Sequence, residues 1–296
     1  MSDAPPDLLV DTLGMRTPVW RYGPPDGEPI VFVHGFRGDH HGLEGMARAL
    51  AAREPASCVL VPDLPGFGVA PAVPGRIHDL DLFGAWLRAF VAAAAPGGGS
   101  ILGHSFGTLV VANALAQGLE ARSVTLVNPI SAPALAGPKA ALTRLAIFYY
   151  WAADHLPEGP ARALLSHPVI VRVMSVVMAK TKDPALRAWI HAQHDRYFSR
   201  FADTRTLLQA FTASVSHTVP EYAARIAQST LLIAGDRDDI TPLTAQLGLQ
   251  RQLADARLRV LPGVGHLVHY EAVDAAIDEL ARFLHDRDTA GAGEHG

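Results

Sequence analysis

From residue 100 to residue 115 the chain passes from an apolar strand end, Ser100-Ile101-Leu102, through Gly103-His104-Ser105-Phe106-Gly107, into a helical run, Thr108-Leu109-Val110-Val111-Ala112-Asn113-Ala114-Leu115. A Gly-x-Ser-x-Gly unit in that setting predicts a strand that turns at once into a helix, with the serine at the apex. A turn so tight needs glycine on both sides, because any Cβ there would collide with neighbouring backbone. The serine hydroxyl is thereby held exposed and aimed outward. Three fixed positions arise by chance in roughly one chain in ten of this length. A serine that merely caps a helix therefore stays open until other residues speak for chemistry.

Short apolar runs alternate with helical patterns on both sides of this unit. Leu8 to Leu13 and Thr17 to Tyr22 read as paired antiparallel strands, and Ile30 to Val33, Cys58 to Val61 and Ser123 to Val127 as further strands. Continuous runs such as Ile30-Val31-Phe32-Val33 imply strands covered on both faces. Helical spacing over Leu43 to Arg53 and Leu80 to Ala95 separates them, and such alternation specifies an α/β fold with parallel crossovers. From Ser131 to about Arg225 it gives way to helical patterns broken at Pro138, Pro157, Pro160, Pro168, Pro184 and Pro220. It resumes with Thr230 to Ala234, a helix from Pro242 to Leu253, Arg257 to Leu261 and a closing helix from Ala272 to Leu284. The expected domains are a core over residues 1–130 and 226–285, a helical lid over 131–225 inserted into it, and a polar, glycine-rich disordered tail over 286–296.

The 296 residues, 49% hydrophobic and 18% charged, suffice for one large core with an insertion. A net charge of -4 without any block of like charge gives no footprint for nucleic acid, and no such partner is expected. Cys58 is the one cysteine, so no internal disulfide forms, and its place in an apolar strand reads as core. Met1 to Asp7 lacks the basic and apolar parts of a secretory signal. The most apolar stretch, Pro168 to Ala179, is interrupted by Arg172 and shorter than the roughly 20 residues a bilayer requires. A cytoplasmic chain starting near Met1, with no membrane span, is the expectation.

Two further loops stand, like Ser105, at the carboxyl ends of strands, where open α/β sheets bind ligands. Gly235-Asp236-Arg237-Asp238-Asp239 follows the Leu231 to Ala234 run, and Gly263-Val264-Gly265-His266 follows the Arg257 to Leu261 run. Earlier strands end in His34-Gly35 and in Asp63-Leu64-Pro65-Gly66-Phe67-Gly68. With these contexts, the order Ser105, Asp238, His266 resembles the α/β-hydrolase superfamily, in its capped branch of soluble esterases and C–C or C–N hydrolases. The resemblance runs from the first strand to Leu284. It implies an α/β-hydrolase fold: an eight-stranded, mostly parallel sheet whose first strand runs against the rest, helices on both faces, and a lid formed by Ser131 to Arg225.

Serine is a poor nucleophile near neutral pH and needs a base beside it; imidazole titrates in the right range, which assigns that role to His266. An acid must then fix the imidazole tautomer and stabilise the imidazolium. In the family it lies three residues after the strand-ending glycine, which selects Asp238 and leaves Asp236 and Asp239 as solvated turn residues, pairing with Arg237. Asn128 occupies the other place where relatives carry the acid, and an amide supplies no charge. The resemblance assigns the oxyanion donors to the backbone N–H groups of Phe106 and Phe36. His34, His40, His41, His104 and His269 show no H-E-x-x-H or paired-cysteine pattern, so structural roles and no metal are expected. The implied chemistry also needs no cofactor. His191 and His194, three residues apart on a lid helix, fit a solvated face as well as a role at the pocket.

Serine at position 105 disfavours the dehalogenase and epoxide-hydrolase reactions of relatives that form their covalent ester on aspartate. Phe36-Arg37 and Leu267 depart from relatives acting on ring-cleavage products, which carry a glycine-rich loop and a tryptophan there. The lid stretches Leu145 to Trp151 and Val169 to Met174 are too apolar for helices with a free outer face, and part of that surplus is expected to roof a pocket. The expectation is a cofactor-independent serine hydrolase that cleaves an ester-type bond of a hydrophobic small molecule through an acyl-enzyme on Ser105. Alternatives are C–C bond or amide hydrolysis, and a lyase or ligand-binding use of the fold, since fold does not fix function.

Overall fold

The computed structural model describes residues 4–136 and 140–293. Eight strands form one sheet: β1 (Leu8–Thr12), β2 (Met15–Tyr22), β3 (Glu28–Val33), β4 (Ser57–Pro62), β5 (Ser100–His104), β6 (Ser123–Val127), β7 (Thr230–Gly235) and β8 (Ala256–Leu261). Their spatial order is β1-β2-β4-β3-β5-β6-β7-β8. The pairings from β4 through β8 are parallel, whereas β2 is antiparallel to both β1 and β4. The reversed strand is therefore the second, not the first as the family resemblance implied. A two-residue hairpin joins the two, Leu13 and Gly14 both having positive φ, 46° and 80°, the twist-compatible turn that folds β1 back on β2, and it is β2 that pairs antiparallel with β4.

Alternate residues of the central strands serve two cores, as a two-residue period requires. Val31, Val33, Leu60 and Ile101 face one core with helices α2 (Leu80–Ala94) and α3 (Phe106–Ala116), while Ile30, Phe32, Val59 and Leu102 face the other with α1 (His40–Arg53). The last helix, α11 (Val273–Gly293), joins the second core through Ala276, Ile277, Leu280 and Phe283. Each such fully buried aliphatic or aromatic side chain contributes about 1.5–3 kcal/mol through burial. Helix α11 runs past Leu284 to Gly293, so the segment expected as a tail is helical as far as it is described; residues 294–296 lie outside the described residues. No proline stops this helix, and Arg257 pairs with Asp286 on it.

Between β6 and β7 lie α4 (Ala140–Asp154), α5 (Glu158–Leu165), α6 (Pro168–Met178), α7 (Pro184–Tyr197) and α8 (Thr204–Ser216). Pro168 and Pro184 open their helices, where a missing N–H costs nothing. Pro160 lies inside the first turn of α5 and breaks nothing, for the same reason. The break expected at Pro138 lies outside the described residues. This helical insertion, the lid expected from the sequence, is anchored to loops at the strand ends: Gly68 N–H donates to Arg200 C=O, Ala202 N–H to Gly66 C=O, and Lys180 pairs with Asp239. Two short helices, α9 (Leu243–Gln252) and α10 (Val268–Glu271), complete the body.

Candidate active site

Ser105 occupies the junction of β5 and α3 with φ 52° and ψ −119°, a conformation that L-residues adopt at a cost of about 1–3 kcal/mol. The flanking glycines make it possible. A Cβ at Gly103 would lie 2.6 Å from Gly107 O, and one at Gly107 would lie 2.2 Å from Val33 O. Ser105 N–H continues the sheet by donating to Val127 C=O at 3.0 Å, which fixes the turn to β6. The serine is half-buried, and its Oγ lies 2.7 Å from His266 Nε2.

His266 Nδ1 lies 2.7 Å from Asp238 Oδ2, so the three side chains form one hydrogen-bonded chain. A carboxylate on Nδ1 calls for the proton there, which leaves Nε2 as the acceptor for the serine hydroxyl. Asp238 is buried and accepts further bonds from Thr241 Oγ1 at 2.6 Å, Asn128 Nδ2 at 2.8 Å and Ile240 N–H at 2.8 Å. Burial alone would raise its pKa, but the facing His266 charge and these hydrogen bonds outweigh that and hold it at about 2. Asp236 and Asp239 turn elsewhere: Asp236 accepts from Gly263 N–H at 2.7 Å, and Asp239 pairs with Lys180 of the lid rather than with Arg237. Asn128 is the residue whose function sequence reasoning missed. Its φ of 47° turns the chain at the end of β6, so its amide reaches the carboxylate that the neighbouring strand supplies.

The loop after β3 approaches Ser105 closely; a Cβ on Gly35 would lie 3.2 Å from Ser105 Cβ. His34 Nε2 accepts from Leu64 N–H at 2.9 Å, so its Nδ1 carries the proton and donates to Gly35 C=O at 2.9 Å. Gly38 N–H donates to the same carbonyl at 3.1 Å. In a planar trans peptide the N–H points opposite to the C=O, so pinning the Gly35 carbonyl also sets the direction of Phe36 N–H. Phe106 is the first residue of α3, where an N–H has no intrahelical acceptor and carries the positive end of the helix dipole. The rings of Phe36 and Phe106 meet edge to face with centroids 6.4 Å apart.

Behind His266 lie two more imidazoles. His104 Nε2 donates to His266 C=O at 3.2 Å, and burial lowers its pKa to about 3; burial also holds His269 well below the ordinary value. Both are neutral near pH 7, and the His104 ring packs 5.6 Å from that of His266. In front of Ser105 is a cavity of about 200 Å³ whose lid wall includes Met174, Met178, His194 and Phe198. His191 and His194 are buried, not solvated, and share Ser175 Oγ at 2.6 and 2.7 Å. Part of the apolar surplus of the lid roofs the cavity as expected, through Met174, and the rest lies on an uncovered outer side. Phe148, Trp151, Val169 and Val173 are all more than half exposed, while the methionines of α6 turn inward to the cavity.

Among the described residues, the ligating atoms of Asp39, His40 and His41 lie within 4.8 Å of one another. Hydrogen bonds already engage them: Asp39 caps α1 through His41 N–H, and His40 Nδ1 bonds Asp63 at 2.9 Å. The stretch Glu158–Met178 is long and apolar enough to cross a membrane by composition, but it folds as α5 and α6 with a break at Ser166-His167.

A mostly parallel eight-stranded sheet that presents serine, aspartate and histidine on loops after β5, β7 and β8 defines the α/β-hydrolase fold. The chain belongs to the alpha/beta hydrolase family, whose sequence profile matches residues 30–283. It is 28% identical to a pimeloyl-[acyl-carrier protein] methyl ester esterase of Chromobacterium violaceum, over 88% of this chain and 91% of that one. It is 26% identical to lipase 1 of Psychrobacter immobilis, over 87% and 77% of the two chains. An esterase structure from Exiguobacterium antarcticum superposes with a TM-score of 0.74 at 16% identity, covering 93% of this chain and 98% of that one.

Proposed function

We propose that this protein is a cofactor-independent serine hydrolase that cleaves an ester bond of a hydrophobic small molecule. The observation that carries the reading is the chain Ser105 Oγ, His266, Asp238, with both contacts at 2.7 Å, at the floor of a cavity walled by methionine and phenylalanine. His266 Nε2 takes the serine proton as Oγ attacks the acyl carbon, and Asp238 stabilises the imidazolium that forms. The N–H groups of Phe36 and Phe106 receive the developing oxyanion. His266 then gives its proton to the leaving alcohol, and the acyl group on Ser105 is released by a water that His266 deprotonates. The relatives named as an esterase and a lipase support ester hydrolysis as the reaction class.

Two measurements on p-nitrophenyl esters of graded acyl length and on a fluorophosphonate probe test this. Wild type is expected to label and to prefer apolar acyl chains, and Ser105→Ala to lose labelling and at least about 10³-fold in kcat/KM. A wild type that neither labels nor turns over any ester overturns the reading. Equal rates across the series would remove the hydrophobic substrate while leaving the chemistry.

A further inference from the structure

We propose that Arg37 is a positioning residue that ties the lid to the Phe36 amide, so that a seated lid and a correctly aimed oxyanion donor occur together; this rests on the serine-hydrolase reading above. Residues 35–38 form a β-turn closed by Gly38 N–H to Gly35 C=O, and Arg37 stands third in it with φ 60°. That position favours glycine or asparagine. An arginine there carries backbone strain that glycine would avoid, and the turn itself gains nothing from it.

The side chain supplies the compensation. It is 1% exposed, and each of its nitrogens reaches a different part of the lid. Nε donates to Phe198 C=O at 3.0 Å, Nη1 to Tyr150 Oη at 3.0 Å and Nη2 to Leu165 C=O at 2.6 Å. Leu165 ends α5 and Phe198 caps α7, so the guanidinium sits against the negative ends of two helices. Its carbon also lies 5.1 Å from the centroid of the Phe198 ring. Phe36, one residue earlier, extends the same bridge, with its ring 5.9 Å from those of both Tyr150 and Phe211 and 6.4 Å from Phe106. The turn that aims the Phe36 N–H therefore cannot tilt without pulling the guanidinium from three lid acceptors, and a displaced lid leaves a buried cation unsatisfied.

Arg37→Gly is the informative variant, because glycine accepts the turn geometry and removes the link to the lid, together with the buried side chain that fills the space between them. Its kcat on p-nitrophenyl butyrate is expected to fall about 100-fold, the cost of one misplaced oxyanion donor, with KM within about threefold. Affinity for an alkyl boronic acid, which forms a tetrahedral adduct on Ser105, should weaken by a similar factor. Tyr150→Phe removes one acceptor and should lower kcat several-fold with KM unchanged. Should Arg37→Gly fail to fold, Tyr150→Phe and Arg37→Lys carry the same comparison. Unchanged kcat and boronate affinity, or a loss confined to KM or to thermal stability, overturns the proposal while an active, fluorophosphonate-labelling wild type leaves the hydrolase reading intact. A wild type without labelling or turnover sinks both.

Discussion

The body and the lid of this molecule spend apolar residues in opposite ways. In α3 of the body every residue from Phe106 to Leu115 is buried, whereas in α6 of the lid Val171 and Ser175 are buried and Val169, Val173 and Val176 are more than half exposed. A body helix is held from both sides, so the residues it carries to the site are fixed by packing as dense as a crystal. The lid helices join the body's core on their inner side, through Tyr150, Ala153, Leu165, Leu207 and Ala210, and are tied down further by Lys180 to Asp239, Phe67 to Phe201 and the Arg37 bonds, but the outer side of α4 and α6 is uncovered. Ser105, Asp238 and His266 thus stand on loops of the region packed from both sides, and the roof of the cavity on the region with an uncovered outer side.

This contrast can be broken by experiment, and the largest effect should come from the body's chemistry. Asp238→Asn keeps the shape but inverts the polarity of the bond to His266, and is expected to lower kcat by about 10³–10⁴-fold in steady-state assays. A loss below tenfold would mean that another group holds the imidazole. Next in size is packing. Leu109→Ala in α3 should cost about 2–5 kcal/mol in urea denaturation, as buried leucines do. Val173→Thr on α6 should stay within about 0.5 kcal/mol, as exposed positions do.

The pH dependence of stability separates the regions less sharply. Burial lowers His34, His104 and His269 below the ordinary value of 6.5, His104 to about 3, so each is neutral in the folded state and takes up a proton on unfolding. Stability is therefore full above pH 6.5 and declines as pH falls from there toward the folded values. Asp238, held at about 2, adds its own loss only from about pH 4 downward. Melting temperatures between pH 7.5 and 4.5 should fall with pH, and His104→Asn should flatten the slope; equal slopes in both proteins would contradict it. The smallest effect belongs to the lid. Met174→Ala or Met178→Ala should move the preferred acyl chain to greater length by up to about tenfold in relative kcat/KM. A drop common to all chain lengths would place these residues in the chemistry.

Much of this arrangement is legible in the sequence because its causes are local. Gly103 and Gly107 announce the turn at Ser105, since no other residue fits the gaps beside Gly107 O and Val33 O. The continuous apolar runs mark buried strands for an equally local reason, the two-residue period. The antiparallel pair β1–β2 is legible, but which of the two runs against the sheet is not, because that depends on which of them pairs with β4, a contact distant in the chain. Asn128 reads as a missing acid, yet it contributes by donating to one, a relation between strands that spacing along the chain does not contain. Asp239 and Arg237 are neighbours in sequence but not partners, because Lys180 arrives from the lid. Arg37 is the extreme case, with acceptors at positions 150, 165 and 198.

The lid leaves the body after Ile130 and comes back to it at Val219, whose N–H donates to Ile130 C=O at 2.8 Å. The two ends of the insertion are therefore one hydrogen bond apart. A segment with adjacent ends asks nothing of the strands that bracket it, so a lid of another length or composition can be grafted there without disturbing their register. An incoming lid must meet the backbone of Gly66 and Gly68 and the Asp239 carboxylate, and must offer carbonyl or carboxylate oxygen to the Arg37 guanidinium or arrive together with a change at position 37.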